Sequence, residues 1–207
     1  MGKFVTIEGC EGVGKSTLLK KLARYFEENK YDAIFTREPG GTPVAEKIRN
    51  VILDANNAEM TDTTELMLYA SARAQHTEEL ILPALKEGKI VICDRYSDST
   101  LAYQGYARGL DKELCKTLAL MGERGVKIDM TIFLDLPPAL GFKRKGGADK
   151  GDRLEKENLA FHERVYQGFC DIAKNNPDRV VRIDASKTAD EVFEAVINAF
   201  KQRGIVE

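Results

Sequence analysis

The sequence predicts an α/β fold, a three-layer α/β/α sandwich whose middle layer is a five-stranded parallel sheet. Five short aliphatic and β-branched runs recur along the 207 residues, and such runs are typical of strands buried on both faces. Segments with helical apolar spacing lie between them. A glycine-rich turn joins the first run to the first of these segments. This alternation predicts right-handed βαβ units within one domain spanning residues 1–207.

The predicted strands share a short length and a branched aliphatic composition; they are Phe4–Glu8, Ala33–Thr36, Ile90–Asp94, Met130–Leu136 and Val180–Asp184. The predicted helices carry apolar residues three or four positions apart; they are Lys15–Glu28, Thr63–Leu85, Leu154–Ala173 and Ala189–Lys201. Pro83 lies inside the second helix and should kink or end it, because proline lacks the backbone N–H that a helix interior requires.

Charge and cysteine content exclude several classes of protein. The chain has 31 basic and 33 acidic residues, a net charge of −2, whereas nucleic-acid-binding domains are strongly basic. Its apolar runs are all shorter than the roughly 18 residues of a membrane span. The four cysteines form no Cys-x-x-Cys pair, which disfavours a zinc site and fits free thiols in a reducing compartment. We therefore expect a cytoplasmic protein with no membrane or nucleic-acid partner.

The strongest motif is GCEGVGKST at residues 9–17, which fits the phosphate-binding pattern G-x-x-x-x-G-K-[ST]. Glycines let the backbone turn its N–H groups onto phosphate oxygens, and the helix N-terminus adds partial positive charge. We expect Lys15 to reach the β- and γ-phosphates and Ser16 to ligate Mg²⁺. The predicted ATP-binding residues of this loop are Gly9, Cys10, Glu11, Gly12, Val13, Gly14, Lys15, Ser16 and Thr17.

A nucleotide site of this type needs an acid near the metal at the end of a strand. Three predicted strands contain a late aspartate: Asp94, Asp135 and Asp184. Asp94 is followed by Arg95, and an arginine at this position would point into the same cleft as the loop. An acid next to an arginine suits a phosphate-bearing substrate. The sequence therefore favours Asp94 as the second metal-binding residue, beside Ser16.

Two classes of P-loop protein compete at this point. One is a nucleotide-dependent switch or ATPase. A small switch GTPase would carry a guanine-reading Asn-Lys-x-Asp at the end of a late strand, but here that pattern occurs at residues 29–32, directly after the first predicted helix. A phosphotransferase acting on a phosphorylated substrate needs additional arginines, whose forked guanidinium groups bind phosphate. The sequence has them at Arg37, Arg73 and Arg95 and in the glycine-rich segment Lys143–Arg153, whose five basic and two acidic residues predict a mobile lid.

Four segments together resemble the bacterial thymidylate kinase family: residues 9–17, TREPGGT at 36–42, LYASARAQH at 68–76 and DRYSDSTLAYQG at 94–105. The resemblance extends from about Lys3 to Phe200. It implies transfer of a phosphoryl group from ATP to dTMP with Mg²⁺, giving dTDP, and a homodimer. The alternative is a P-loop kinase of another nucleoside monophosphate.

The resemblance also implies roles for single residues toward the phosphate and sugar of dTMP. Arg37 and Arg95 would bind its phosphate. Glu11 would lie at the 3′-hydroxyl side of the sugar, and Tyr103 would crowd the 2′ position and so favour deoxyribose.

For the base, the resemblance assigns Tyr69 to stacking on thymine and Arg73 to its carbonyl edge. Thr100 and Gln104 would meet the remaining edge. These residue types suit those roles, because an aromatic face stacks on a base while an amide or hydroxyl reads its edge. Family members usually have Phe at the position of Tyr69, so its hydroxyl needs a partner or water.

Some family members place a catalytic arginine inside the P-loop, but this chain has no basic residue between Gly9 and Gly14. The chain thus resembles the bacterial type, in which the lid supplies positive charge to the transferring phosphoryl group. We favour Arg153 for that contact, followed by Arg144 and Lys145, and we also assign Arg144 to ATP. The predicted catalytic residues are Lys15, Arg95, Arg144 and Arg153.

Overall fold

The computed structural model of the chain describes residues 2–144 and 151–207. Its sheet has five parallel strands in the order β2-β3-β1-β4-β5. The strands are β1 Lys3–Glu8, β2 Ala33–Arg37, β3 Ile90–Asp94, β4 Met130–Asp135 and β5 Val180–Asp184. All five predicted strands are confirmed, with bounds that differ by at most one residue at either end.

Helices lie on both sides of the sheet. In chain order they are α1 Lys15–Glu28, α2 Pro43–Leu53, α3 Asp62–His76, α4 Leu82–Lys86, α5 Ser97–Thr100, α6 Lys112–Glu123, α7 Pro138–Arg144, α8 Leu159–Asn175 and α9 Ala189–Gln202. The α1 prediction is confirmed at both ends. The sequence reasoning missed α2, α5, α6 and α7. The fold class of a parallel α/β sandwich is confirmed.

Two predicted helices have different bounds in the structure. Thr63–Leu85 is divided into α3, a π-helical turn at Thr77–Ile81 and α4, and Pro83 occupies the first turn of α4, where its missing N–H is tolerated. The helix predicted from Leu154 begins at Leu159. The side chain of Asn158 caps it by accepting a hydrogen bond from the Phe161 backbone N–H at 2.9 Å.

The strands bury alternate side chains in two apolar clusters, because successive residues of a strand point to opposite faces of the sheet. Val5 and Ile7 belong to the larger cluster, to which α1, α8 and α9 also contribute. Phe4, Val91 and Cys93 belong to the smaller one. The four cysteines are free thiols, as the sequence predicts.

Strand register brings the carboxyl ends of three strands together. Asp94 at the end of β3 pairs with Ile7 of β1 and with Arg37 of β2. The P-loop leaves β1 directly after Glu8. The predicted phosphate loop, acid and first arginine therefore meet at one edge of the sheet, where open α/β sheets bind ligands. Among the described residues, no helix is both long and apolar enough to cross a membrane.

Candidate active site

The P-loop wraps around its own lysine. Gly9, Gly12 and Gly14 have φ angles of 145°, 72° and 97°, a region that residues with a Cβ rarely adopt. The Nζ of Lys15 donates to the carbonyl oxygens of Gly9 at 3.0 Å and Cys10 at 2.9 Å. Burial, followed by the nearby Arg95 charge, lowers the pKa of Lys15. The lysine is thus held inside the loop, where a phosphate would replace these carbonyls as its partner.

The P-loop backbone lies against helix α7. A Cβ built on Gly141 of α7 would come within 2.3 Å of the Glu11 carbonyl oxygen, and one built on Gly12 would come within 2.3 Å of the Gly141 carbonyl oxygen. The two backbones can approach this closely only because both positions are glycine and carry no Cβ. Because α7 ends at Arg144, the contact fixes the origin of the predicted lid relative to the phosphate loop.

The three candidate acids have different surroundings. Asp135 accepts hydrogen bonds from Tyr166 and Arg182, and Asp184 accepts them from Ser186. Asp94 lines the same cavity as the P-loop, and its buried Oδ1 has no hydrogen-bond partner within residues 2–144 and 151–207. A buried carboxylate oxygen without a donor is costly unless it meets a cation or water. This arrangement singles out Asp94.

Arg95 connects the β3 exit to the P-loop. Its backbone is left-handed, with φ 65°, a strained conformation that tends to be retained at functional sites. The guanidinium donates to the Gly9 carbonyl at 3.0 Å and to Glu11 Oε1 at 2.5 Å. It also lies over the Tyr103 ring, 5.1 Å from the centroid. One backbone carbonyl and one carboxylate therefore hold the arginine beside the phosphate loop.

Glu8, which the sequence reasoning missed, ties the start of the P-loop to the segment after β3. Its carboxylate accepts hydrogen bonds from the Tyr96 backbone N–H at 2.7 Å and from Ser99 Oγ at 2.6 Å. Burial, together with the nearby Asp98 charge, raises the pKa of Glu8 to about 7. Such a side chain gives no sequence signal beyond an acid at the end of a strand.

At the other end of the cavity, a buried network orients the base-reading candidates. Arg73 is 1% exposed, and its Nε donates to Glu38 Oε2 at 2.8 Å while its Nη1 donates to Thr100 Oγ1 at 2.9 Å. His76 Nδ1 lies 3.1 Å from the other oxygen of Glu38. His76 therefore helps to hold the Glu38 carboxylate in place behind Arg73.

One cavity of about 470 Å³ joins these groups. Most of the predicted site residues line it; they are Glu11, Gly12, Val13, Gly14, Lys15, Ser16, Thr17, Arg37, Tyr69, Arg73, Asp94, Arg95, Thr100, Tyr103, Gln104 and Arg144. Arg49 on α2 also lines it and donates to the Pro39 carbonyl at 2.8 Å. Sequence reasoning missed Arg49, because α2 was not predicted.

The two lid arginines that the structure describes lie in different places. Arg144 lines the cavity, and its guanidinium donates to the carbonyl oxygens of Ala185 at 2.7 Å and Ser186 at 2.9 Å. Arg153 lies outside that lining and binds Glu65 and the Ile52 carbonyl. The structure therefore does not bring Arg153 to the P-loop, and its contact with a phosphoryl group stays a prediction. Lys145 lies outside the described residues.

Known proteins share this architecture along almost the whole chain. A family model described as thymidylate kinase matches residues 7–196. The chain belongs to the thymidylate kinase family. A thymidylate kinase of Finegoldia magna is 49% identical over 98% of this chain and 100% of the relative. One from Desulfosudis oleivorans is 47% identical over 96% of each chain.

A crystal structure of thymidylate kinase from Ehrlichia chaffeensis superposes with a TM-score of 0.77, at 34% identity, over 96% of this chain and 98% of that one. Membership of the thymidylate kinase family makes the chain a phosphotransferase of the P-loop type. The resemblance noted from the four sequence segments is thereby confirmed.

Proposed function

We propose that the chain transfers the γ-phosphoryl group of ATP to dTMP, giving ADP and dTDP. The observation that supports this most directly is the shared cavity, which is lined by a P-loop at one end and by an aromatic ring, an arginine and an amide at the other. A phosphate donor and a phosphorylated nucleoside would thus meet within one cavity. Family membership supports the same reaction.

An oxygen of the dTMP phosphate attacks the γ-phosphorus while the bond to the β-phosphate oxygen breaks, so ADP leaves with that electron pair. No side-chain nucleophile is needed, because phosphoryl transfer depends on positioning and charge stabilisation. Lys15 and Arg95 are held by neutral carbonyls and one acid, and phosphates would take over as partners. Arg37, half exposed and bound to Glu46, is the further candidate for the dTMP phosphate.

For the base we propose stacking on Tyr69 and hydrogen bonds to Arg73, Thr100 and Gln104. Arg73 is oriented by Glu38 and can only donate, which suits a carbonyl oxygen of the pyrimidine. Tyr103 packs beneath Arg95 and is the candidate that excludes a 2′-hydroxyl.

For ATP we propose that Arg144 stacks on adenine. Two backbone carbonyls after β5 hold its guanidinium, which leaves a planar face for an aromatic base. A lid at residues 143–153 that closes over the phosphates stays a prediction, and residues 145–150 lie outside the described part of the chain.

Mg²⁺ fits the residues at the P-loop. The unpartnered buried Oδ1 of Asp94 and the hydroxyl of Ser16 line the same cavity, and oxygen ligands are those that Mg²⁺ prefers. When bound, the ion would neutralise charge on the phosphates. The residues of the chain would contribute ligands and orientation.

We also propose that the chain forms a homodimer through α3 and α6, which pack against each other. Met67 on α3 and Leu120 and Met121 on α6 are 55%, 64% and 65% exposed, a cluster of apolar side chains of the kind that marks an interface. Light scattering should give twice the mass of one chain. A single-chain mass for the unmodified protein would reject this dimer. A cytoplasmic location, inferred from the free cysteines, stays a prediction.

The reaction is tested by ADP release with dTMP, dUMP, UMP, AMP, CMP and GMP as acceptors. We expect dTMP to be the best of them. Lys15→Ala should retain the circular dichroism spectrum of the unmodified chain and lose transfer. ADP release that is independent of any acceptor would indicate an ATPase or switch. A better acceptor than dTMP would indicate another nucleoside monophosphate kinase.

A further inference from the structure

A fully buried carboxylate, Glu65, lies behind the base end of the cavity. It belongs to the first turn of α3 and is 0% exposed. Its Oε1 accepts from the Gln104 amide Nε2 at 2.8 Å, and its Oε2 accepts from Arg108 Nη2 at 3.1 Å and from Arg153 Nη2. Three donors, two from the segment at 104–108 and one from Arg153, thus converge on one side chain that does not itself line the cavity.

The chemistry of Glu65 fixes the orientation of the Gln104 amide. Burial opposes the charge on Glu65, but hydrogen bonds from Arg108 and Gln104 outweigh it and lower the pKa of this carboxyl. An ionised carboxylate can only accept hydrogen bonds. The NH₂ of Gln104 must therefore face Glu65, as the hydrogen bond from its Nε2 to Glu65 Oε1 shows.

The amide oxygen of Gln104 is then left for the cavity. Gln104 lines that cavity, and within residues 2–144 and 151–207 its Oε1 accepts no hydrogen bond. Arg73, on the same wall, presents only N–H donors. The wall therefore offers a donor and an acceptor in fixed places.

That pattern matches one class of pyrimidine. A 4-oxo pyrimidine has an acceptor at O4 and a donor at N3–H, which complement Arg73 and the Gln104 oxygen. A 4-amino pyrimidine has a donor at position 4 and an acceptor at N3. Arg73 would then face a second donor, and the Gln104 oxygen would face a second acceptor. A buried polar site that leaves its partners unpaired discriminates far more strongly than a difference in apolar size.

We propose that Glu65 is a positioning residue that selects 4-oxo over 4-amino pyrimidine nucleotides by holding the Gln104 amide oxygen toward the base. The proposal rests on the proposed function, because it concerns the acceptor site of the dTMP reaction. Glu65 acts through Gln104 and touches no reacting atom.

The test is Glu65→Gln, in which the new side chain can both donate and accept, so that the Gln104 amide can take either orientation. The readouts are the KM of dTMP and dUMP and the inhibition constant of dCMP. We expect the preference for dTMP over dCMP to fall at least tenfold, mainly through KM. The preference for dTMP over dUMP should not change, since these two share the same base edge.

Glu157→Gln is the matched control. Glu157 binds the Nη1 of the same Arg108 but does not contact Gln104, so this variant removes an acid without releasing the amide. Its selectivity should equal that of the unmodified chain. In the Gln104→Met background, Glu65→Gln should not alter selectivity further, because residues acting through one another are not additive.

Gln104→Met tests the same link with Glu65 intact, and decides the matter if Glu65→Gln does not fold. The thioether sulfur is only a weak acceptor, so the preference for dTMP over dCMP should fall at least tenfold. Unchanged selectivity in a folded Glu65→Gln, or in Gln104→Met, would overturn the proposal. Absence of dTMP turnover by the unmodified chain would instead overturn the proposed function.

Discussion

The contact between the P-loop and α7 leads to a specific prediction for Gly141→Ala. The added methyl would lie 2.3 Å from the Glu11 carbonyl oxygen, whereas real Cβ contacts essentially never fall below 3.0 Å. Both sides of the contact are backbone, so α7 and the loop must separate by at least about 0.7 Å. Overpacking of this kind typically costs about 1–3 kcal/mol.

The larger effect is expected on the reaction, because α7 carries Arg144 and the loop carries Lys15. Displacements of about 1 Å at a reactive centre can lower rates on the order of 100-fold. We therefore expect kcat of Gly141→Ala to fall by about 10- to 100-fold in the coupled ADP-release assay. The melting temperature should fall by several degrees, at roughly 2–4 °C per kcal/mol for a chain of this size.

Gly151→Ala is the matched control on the other side of the predicted lid. Among the described residues, its methyl would meet only the end of the Glu155 side chain, at 3.1 Å, and that side chain can move. Its kcat should stay within about twofold of that of the unmodified chain. A Gly141→Ala enzyme with unchanged kcat and melting temperature would refute the close approach as a constraint on the site.

Three further predictions follow from single side chains. The pKa of Glu8 is raised from 4.5 to about 7, so between these two pH values the folded chain binds a proton that the unfolded chain has lost. The free energy of unfolding should therefore fall by roughly 3 kcal/mol as pH rises from 4.5 through 7. Glu8→Gln should lose this slope in urea unfolding at pH 5 and 8, and equal slopes in both proteins would contradict it. Arg144→Ala should raise the KM for ATP about tenfold and leave that for dTMP unchanged; equal increases would argue against adenine stacking. Tyr103→Ala should raise the rate with UMP relative to dUMP about tenfold, and an unchanged ratio would remove the 2′-exclusion role.

Local patterns in the sequence were sufficient for the strands, the P-loop and the first helix. Ile90–Asp94 and Val180–Asp184 were predicted with the bounds that the structure has, as was Lys15–Glu28. Strands and helices form through residues a few positions apart, so the spacing of apolar residues along the sequence predicts them directly. Helix α2 was missed because a TREPGG turn precedes it and its first residue is Pro43. Helix α8 begins later than predicted because the Asn158 cap outweighs the apolar spacing.

The sequence by itself determined the class of chemistry: a loop of nine residues can bind phosphate only through the glycines, lysine and hydroxyls it contains. Tertiary structure decided which residues distant in sequence contact that loop and the rest of the site. It brought Arg144 to Ser186, Gln104 to Glu65 and Gly141 to Gly12, and it held Arg153 away from the phosphate loop. Those residues lie tens of positions apart in the chain. Their contacts follow from the strand order and the packing of helices on the sheet, which no local spacing encodes.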